Sequence, residues 1–375
     1  MAWQIVVVAL ACAAVALVAM QTATNLRQRG IASGFDYLWR TAGFEIARGP
    51  LSYSSRDTYA RALELALVNT LRVSMFGIVI AVALGLVIGI ARLSSIWVVS
   101  TAARVYVEVL RNTPLLLQLL FWYALSQALP LTRDALNPLP GAFLSNRGLL
   151  LPRLTMHGGL PWLGGALLGF ALLVPLVIAR SRVRRDKTGR GLPTTRLLAG
   201  AAVVLLSFAI VVGRPVVAVE RPALVGFDFR GGLSISPEFA ALLIGLSTYT
   251  AAFIGEIVRG GVLAVDRGQK EAAKALGLSR GRVLRLVVLP QALRVITPPT
   301  TSQFLNLLKN SSLAVAIGYP DLISITNTTL NQTGQAIEAI TVVAMIYLAI
   351  SLAISGAMNV YNGAVALRGD EGRRP

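Results

Sequence analysis

Polar chemistry is sparse in this sequence, and where it occurs its spacing is informative. Glu108 and Arg111 stand three residues apart, and so do Glu256 and Arg259. At that interval opposite charges share a helix face and can neutralise each other. Gln118 lies alone in an apolar run, whereas NLLKNSS gathers Asn306, Lys309 and Asn310 on one helical face, followed by Ser311 and Ser312. An ionisable group at the centre of a bilayer costs at least about 2.5–3.5 kcal/mol, so each needs a partner or a task. For Glu108–Arg111 and Glu256–Arg259 we expect structural ion pairs near helix ends. For Gln118, Asn306, Lys309, Asn310, Ser311 and Ser312 two readings stand: the wall of a path for a zwitterionic solute, or hydrogen bonds between helices. Arg72 is the remaining ionisable group in a spanning run. No G-x-x-x-x-G-K-[ST] phosphate loop is present, so the chain has no such cradle for ATP. His157 and Cys12 are the only residues of their types, which leaves no metal cluster and no intrachain disulfide.

The elements that must position these groups are membrane helices. Of 375 residues, 55% are hydrophobic and only 14% charged, against roughly 25% charged in a soluble domain. Apolar runs of bilayer length recur at 2–20, 66–90, 105–129, 161–180, 196–213, 238–258, 294–317 and 336–360. The architecture expected is therefore all-α and polytopic, with about eight transmembrane helices. The first run lacks a basic leader and a clean cleavage site, so it reads as a retained helix and not a signal peptide. Residues 180–196 carry seven basic residues and one acid, and residues 259–294 carry eight and two. Both loops fall on one side of an eight-span chain, which makes that side, and both termini, cytoplasmic. Arg27 and Arg29 oppose this weakly. The net charge of +18 then reflects cytoplasmic loops and anionic lipid head groups, not nucleic acid. Between about 130 and 236 the chain turns rich in Pro and Gly and offers two helices without ionisable residues in their apolar runs; this reads as an insertion.

One polar stretch interrupts the second half: RGQKEAAKALGLSRGRVLRLVVLPQ, residues 267–291. Ala272, Ala273 and Leu276 fall on one helical face, with Lys270, Glu271 and Lys274 on others. Gly277 stops the helix, Ser279 caps a second one carrying Val283, Leu286 and Val287, and Pro290 stops or kinks it. A DNA-reading helix-turn-helix has this outline, with Arg280, Arg282 and Arg285 for phosphates. Such a unit needs its own core, however, and here membrane spans resume within a few residues on both sides. A docking elbow for a cytoplasmic partner fits that tether.

The stretch also resembles a known signature. Glu271-Ala272-Ala273, Gly277, Val287, Leu289 and Pro290 match E-A-A-x-x-x-G followed by hydrophobic-x-L-P, found in permease subunits of bacterial ABC importers; Val287 replaces the usual isoleucine. STYTAAFIGEIVRGGVLAVDRGQKEAAKALGL, VYVEVLRNTPLLLQLLF and LLKNSSLAVAIGYPDL resemble the polar amino acid branch, over about 65–130 and 236–360. The added first helix and the insertion resemble the general L-amino acid permeases. The resemblance implies a type I permease core with an inserted helix pair, and coupling through Glu271, Ala272, Ala273, Gly277, Leu289 and Pro290. It implies a bacterial inner-membrane location and three partners: an ABC ATPase that holds ATP-Mg, a second and paralogous permease, and an extracytoplasmic amino-acid-binding protein that meets loops such as 318–335. On this reading the chain is not an enzyme and binds no cofactor. The parts are an N-terminal helix with an extracytoplasmic segment (1–64), a first core part (65–130), the insertion (131–235), a second core part (236–362) with the coupling loop 259–293, and a tail (363–375). The competing mechanism, an ion-gradient-driven secondary amino acid transporter, would show internal repeats and midplane acids, and neither is apparent.

Overall fold

The computed structural model describes residues 2–28, 33–46, 49, 51–158, 160–188, 193–214, 216–226 and 228–365. Residues 189–192 of the basic loop, Arg29 and positions 366–375 of the expected tail lie outside the described residues. In chain order the elements are α1 (Ala2–Gln28), α2 (Tyr59–Arg92), α3 (Trp97–Asn112), α4 (Leu115–Gln127), β1 (Leu136–Leu139), β2 (Ala142–Ser145), β3 (Gly148–Leu151), β4 (Arg153–His157), α5 (Leu160–Thr188), α6 (Thr194–Gly213), β5 (Val216–Glu220), β6 (Ala223–Val225), β7 (Asp228–Arg230), β8 (Leu233–Ile235), α7 (Pro237–Leu263), α8 (Arg267–Ala275), α9 (Arg280–Val283), α10 (Leu289–Asn310), α11 (Leu322–Thr333) and α12 (Ala336–Val365). Among the described residues five helices are long and apolar enough to cross a bilayer: α2, α5, α6, α7 and α12. The chain divides into two compact units, residues 1–127 with 237–375, and residues 128–236.

The first unit is built around α2 and α7. α2 has 34 residues, roughly 51 Å at 1.5 Å per residue, and Thr58 caps its start by accepting the Arg61 N–H. Its contact with α7 is the most extensive between any two helices, because small residues let the backbones meet. A Cβ placed on Gly85 would sit 2.6 Å from Ile254, one on Gly89 2.7 Å from Val258, and one on Gly255 2.9 Å from Ile88. No real methyl fits at those distances.

Two expected spans are interrupted. The run 105–129 divides into α3 and α4 at Thr113-Pro114, since proline disfavours a helical conformation in the residue before it; Thr113 is accordingly extended, at φ −96° and ψ 127°. The run 294–317 is α10 followed by a 3-10 turn over Ser311–Ile317. Pro298 and Pro299 lie inside α10 and leave it continuous. Packing against α2, α7 and α12 holds it. The Thr297 and Thr300 hydroxyls donate to the Leu293 and Ile296 carbonyls at 2.7 Å within the same stretch.

Residues 33–46 and 51–58 fold over one end of this unit. Tyr37 is fully buried and meets Tyr59 edge-on, with ring centroids 6.0 Å apart. Burial, and then the Glu338 charge, raise the Tyr37 phenol above its ordinary pKa. The Gly34 N–H donates to Glu338 at 2.9 Å and the Tyr59 hydroxyl to Gln332 at 2.8 Å. The first bond fastens the segment to α12 and the second ties the start of α2 to α11, while Leu38, Phe44, Ile46 and Tyr53 pack on the cluster that holds Leu322, Ile325 and Val343. The fully buried Asp321 caps α11 through the Ser324 N–H at 2.8 Å, and Asn69 of α2 donates to the Pro320 carbonyl.

The second unit holds the expected helix pair and adds short strands to it. α5 and α6 form a helical hairpin, joined in part by Trp162 against Phe208. At the hairpin end remote from the basic loop, β4 pairs antiparallel with β5, matching Leu154 with Val219. An antiparallel sheet of order β1-β2-β3-β8 and a β6-β7 hairpin complete the unit. The Pro/Gly-rich stretches read as loops because these strands are only three to five residues long, too short for alternation to register.

Replacing Gly89 by leucine is expected to wedge α2 from α7 and destabilise the fold by about 1–3 kcal/mol. Gly281→Ala on the open elbow surface should leave it unchanged within about 0.5 kcal/mol. Thermal unfolding in detergent, followed by tryptophan fluorescence, compares the two.

Candidate functional site

The stretch 267–291 forms an elbow. Asp266 caps α8 by accepting the Gly268 N–H at 2.6 Å. At its other end Gly277 takes φ +76°, and the Leu278 N–H returns to the Ala273 carbonyl at 3.2 Å. This is the closing pattern of a glycine-terminated helix. Ser279 has the backbone conformation of an N-cap, but its hydroxyl makes no cap bond and accepts instead from Arg282 Nε at 3.3 Å. Residues 284–288 then form a π turn that runs into α10 without a stop. Pro290 cannot supply the N–H for the Leu286 carbonyl and its ring crowds that group, and a widened turn relieves both.

The π turn also shifts the buried face. Val283, Val288 and Ala292 are buried, while Leu286 is exposed. The expected Val283, Leu286, Val287 stripe assumed an unbroken α period and is corrected on that ground. In α8 only Ala273 of the expected apolar trio is buried; Ala272 is exposed and Leu276 is 82% exposed. Glu271 and Gly277 are exposed, Leu289 is exposed and Pro290 half-buried. The elbow therefore offers an outward apolar side chain, Leu276.

From the elbow the chain leads straight into the tightly packed seam. On α7, Arg259 Nη2 donates to Glu256 Oε1 at 2.6 Å. Arg92, the last residue of α2, donates to Glu256 Oε2. One carboxylate thus takes two guanidiniums and joins the elbow ends of both helices. Sequence reasoning found Glu256 and Arg259 but missed Arg92, because the contact is made 164 residues away. It also passed over Gly85-x-x-x-Gly89, a spacing that signals close helix approach.

Glu108 and Arg111 do not pair, contrary to expectation. Among the described residues neither makes an ion pair; both are exposed, and the Arg111 guanidinium lies over the Phe253 ring, 5.0 Å from its centroid. α3 packs on α7, and the aromatic face competes for the cation. Arg72 likewise lies over Phe239 at 4.6 Å.

The six path candidates separate. Gln118 is buried and its amide donates to the Leu110 and Thr113 carbonyls at 2.9 and 3.0 Å, bridging the α3–α4 break. Ser311 and Ser312 donate to the Leu308 and Lys309 carbonyls, both at 2.7 Å. Their hydroxyl protons serve the local backbone. Asn306 and Lys309 are exposed on α10 and Asn310 is half-buried. Only this last group remains placed to meet a solute or a second subunit.

Residues 77–366 match the family described as binding-protein-dependent transport system inner membrane component. The chain belongs to that family. A permease of Escherichia coli (strain K12), the amino-acid ABC transporter permease protein YhdX, is 46% identical over 92% of this chain and 88% of its own. The general L-amino acid transport system permease protein AapQ of Rhizobium johnstonii is 44% identical, covering 93% of this chain and 88% of its own. The glutamate/glutamine/aspartate/asparagine transport system permease protein BztB of Rhodobacter capsulatus is 40% identical over 97% and 93%. This permease is thus a non-enzymatic membrane subunit of an ABC transporter, and its relatives share nearly its whole length.

The elbow holds Leu276 and Gly277 in the open. Leu276→Asp is expected to leave insertion and thermal stability unchanged, since the side chain is out in solvent, yet to lower transport at least about tenfold. Gly277→Asp should also lower transport, but with a loss of about 1–2 kcal/mol in stability, because a side chain at φ +76° is strained and alters the turn. Uptake measured beside the melting temperature separates these effects from misfolding.

Proposed function

We propose that this chain is the membrane-spanning permease of an ATP-driven importer of L-amino acids, coupled through its elbow to a separate ATPase. The observation that carries this reading is the glycine-closed elbow, set off from the core helix α7 by a three-residue turn and running without a break into α10. The names of relatives aligned over nearly the whole chain support amino acids as the cargo.

In this reading the elbow side is cytoplasmic, both termini lie there, and the membrane is a bacterial inner membrane. The basic loops 180–196 and 259–294 support that orientation. Coupling falls to Glu271, Ala272, Ala273, Gly277, Leu289 and Pro290. ATP-Mg sits on the partner ATPase and not on this chain. A second, paralogous permease completes the path, with Asn306, Lys309 and Asn310 of α10 facing it, and a binding protein delivers substrate from outside. The division into an N-terminal part (1–64), two core parts (65–130 and 236–362), an insertion (131–235) and a tail (363–375) belongs to the same proposal. Residues 33–46, fastened to α12 through Gly34 and Glu338, lie with 318–335 on the delivery side.

Mechanically, closure of the ATPases around nucleotide displaces the elbow. The α2–α7 seam cannot shear without collision, so the displacement reaches the path as a movement of the packed pair.

Reconstitution in proteoliposomes tests the reading. The complex of this chain with its permease and ATPase partners is expected to import an L-amino acid only with binding protein outside and ATP inside, at a rate unaffected by ionophores. Uptake that persists without ATP and collapses with the ion gradient would contradict it and favour a secondary transporter.

A further inference from the structure

On the elbow side of the first unit a cavity of about 340 Å³ opens between α2, α3 and α7. Its lining separates charges already used from charges still available. Glu256 accepts from both Arg92 and Arg259 and has no further obligation. Glu108, Arg111 and Asn112, on one turn of α3, also line the cavity. Glu108 and Arg111 have the spacing at which opposite charges normally close on each other, yet among the described residues no ion pair joins them. An acid and a guanidinium held apart at the wall of one cavity are complementary to a molecule that carries both charges.

We propose that this cavity binds a zwitterionic α-amino acid leaving the transport path, Arg111 holding the α-carboxylate and Glu108 the α-ammonium. The proposal rests on the importer reading above and adds a site to it. Arg111 is suited to the carboxylate because its planar fork makes two parallel hydrogen bonds. The Phe253 ring, 5.0 Å from the guanidinium carbon, supports one face of that plane and leaves the fork's edge free. Asn112 adds an amide donor beside it. Val107 and Phe253 supply the apolar wall. Every charged group assigned a contact reads the amino acid backbone, and none reads its side chain. The site should therefore separate α-amino acids from simple amines while tolerating different side chains. The volume is of the order expected for a small-molecule pocket.

The test uses the purified complex of this chain with its second permease and ATPase, without binding protein, and measures equilibrium binding by calorimetry. The probes are L-glutamine and 4-aminobutanamide, which is glutamine without its carboxylate. The wild-type complex is expected to bind L-glutamine and not 4-aminobutanamide. Arg111→Gln and Glu108→Gln should each weaken glutamine binding by about tenfold or more, with Arg111→Lys less affected than Arg111→Gln. Absence of glutamine binding to the wild-type complex, or binding unchanged in both glutamine variants, would overturn the site. Loss of the second permease from either variant on size exclusion would overturn it too, since the pair would then be a subunit contact. A parallel uptake assay on the wild-type complex with binding protein and ATP keeps the two claims apart. Uptake with unchanged binding in the variants defeats the site alone, whereas no ATP-dependent uptake of any L-amino acid defeats the importer reading.

Discussion

The structure depends on one steric constraint, the contact between α2 and α7 at Gly85, Gly89 and Gly255. At each of these positions a single methyl would collide with the opposite helix. In a bilayer, lipid tails are as apolar as leucine, so burial alone does not hold two helices together; close dispersion contact does. Such a contact has little tolerance for sliding, because separation of a fraction of an ångström forfeits much of the attraction. The two helices therefore behave as one body. The paired guanidiniums of Arg92 and Arg259 on Glu256 fix its elbow end at the place where force would enter. A brace of this kind adds little where it is partly solvated; its value lies in keeping the helix ends in register.

That body gives the elbow its meaning. A loop that ended in a flexible linker could dock on a partner without moving anything. Here α8 follows α7 after a three-residue turn in which Val265 is buried, and the second arm passes through a π turn into α10 without a break. The first arm is thus tied to a core helix by a short, partly buried turn, and the second is continuous with one. A π turn next to a proline is a local irregularity of the sort that clusters at functional positions. In this chain it also rotates the following residues so that Val288 and Ala292, and not Val287, face the core.

Much of this organisation is legible in the sequence, and the failures have physical causes. The polytopic class, the elbow and its glycine stop follow from composition, local periodicity and turn chemistry, which act over a few residues. The interruption at Thr113-Pro114 was signalled by its proline, but the apolar run on both sides masked it. The strands of the second unit are too short for a period of two to emerge, and their pairing of β3 with β8 joins residues more than eighty positions apart. Arg92 and the Glu108–Arg111 separation depend on partners across helices: Glu256 in the first case, the Phe253 ring in the second. Local spacing names pairs that are able to meet; only the tertiary arrangement decides whether a better partner stands nearby.

The central claim is that the elbow and the α2–α7 pair move together. Its most direct test is a spin-label distance between Gly281→Cys on the elbow and Ser95→Cys just beyond α2, in a Cys12→Ser background within the assembled transporter. If the account holds, the distance shifts by less than about 2 Å between the nucleotide-free and vanadate-trapped states while transport activity is retained. A shift of about 5 Å or more, the scale of one helical turn, would mean that the elbow moves independently of the helices it is said to drive.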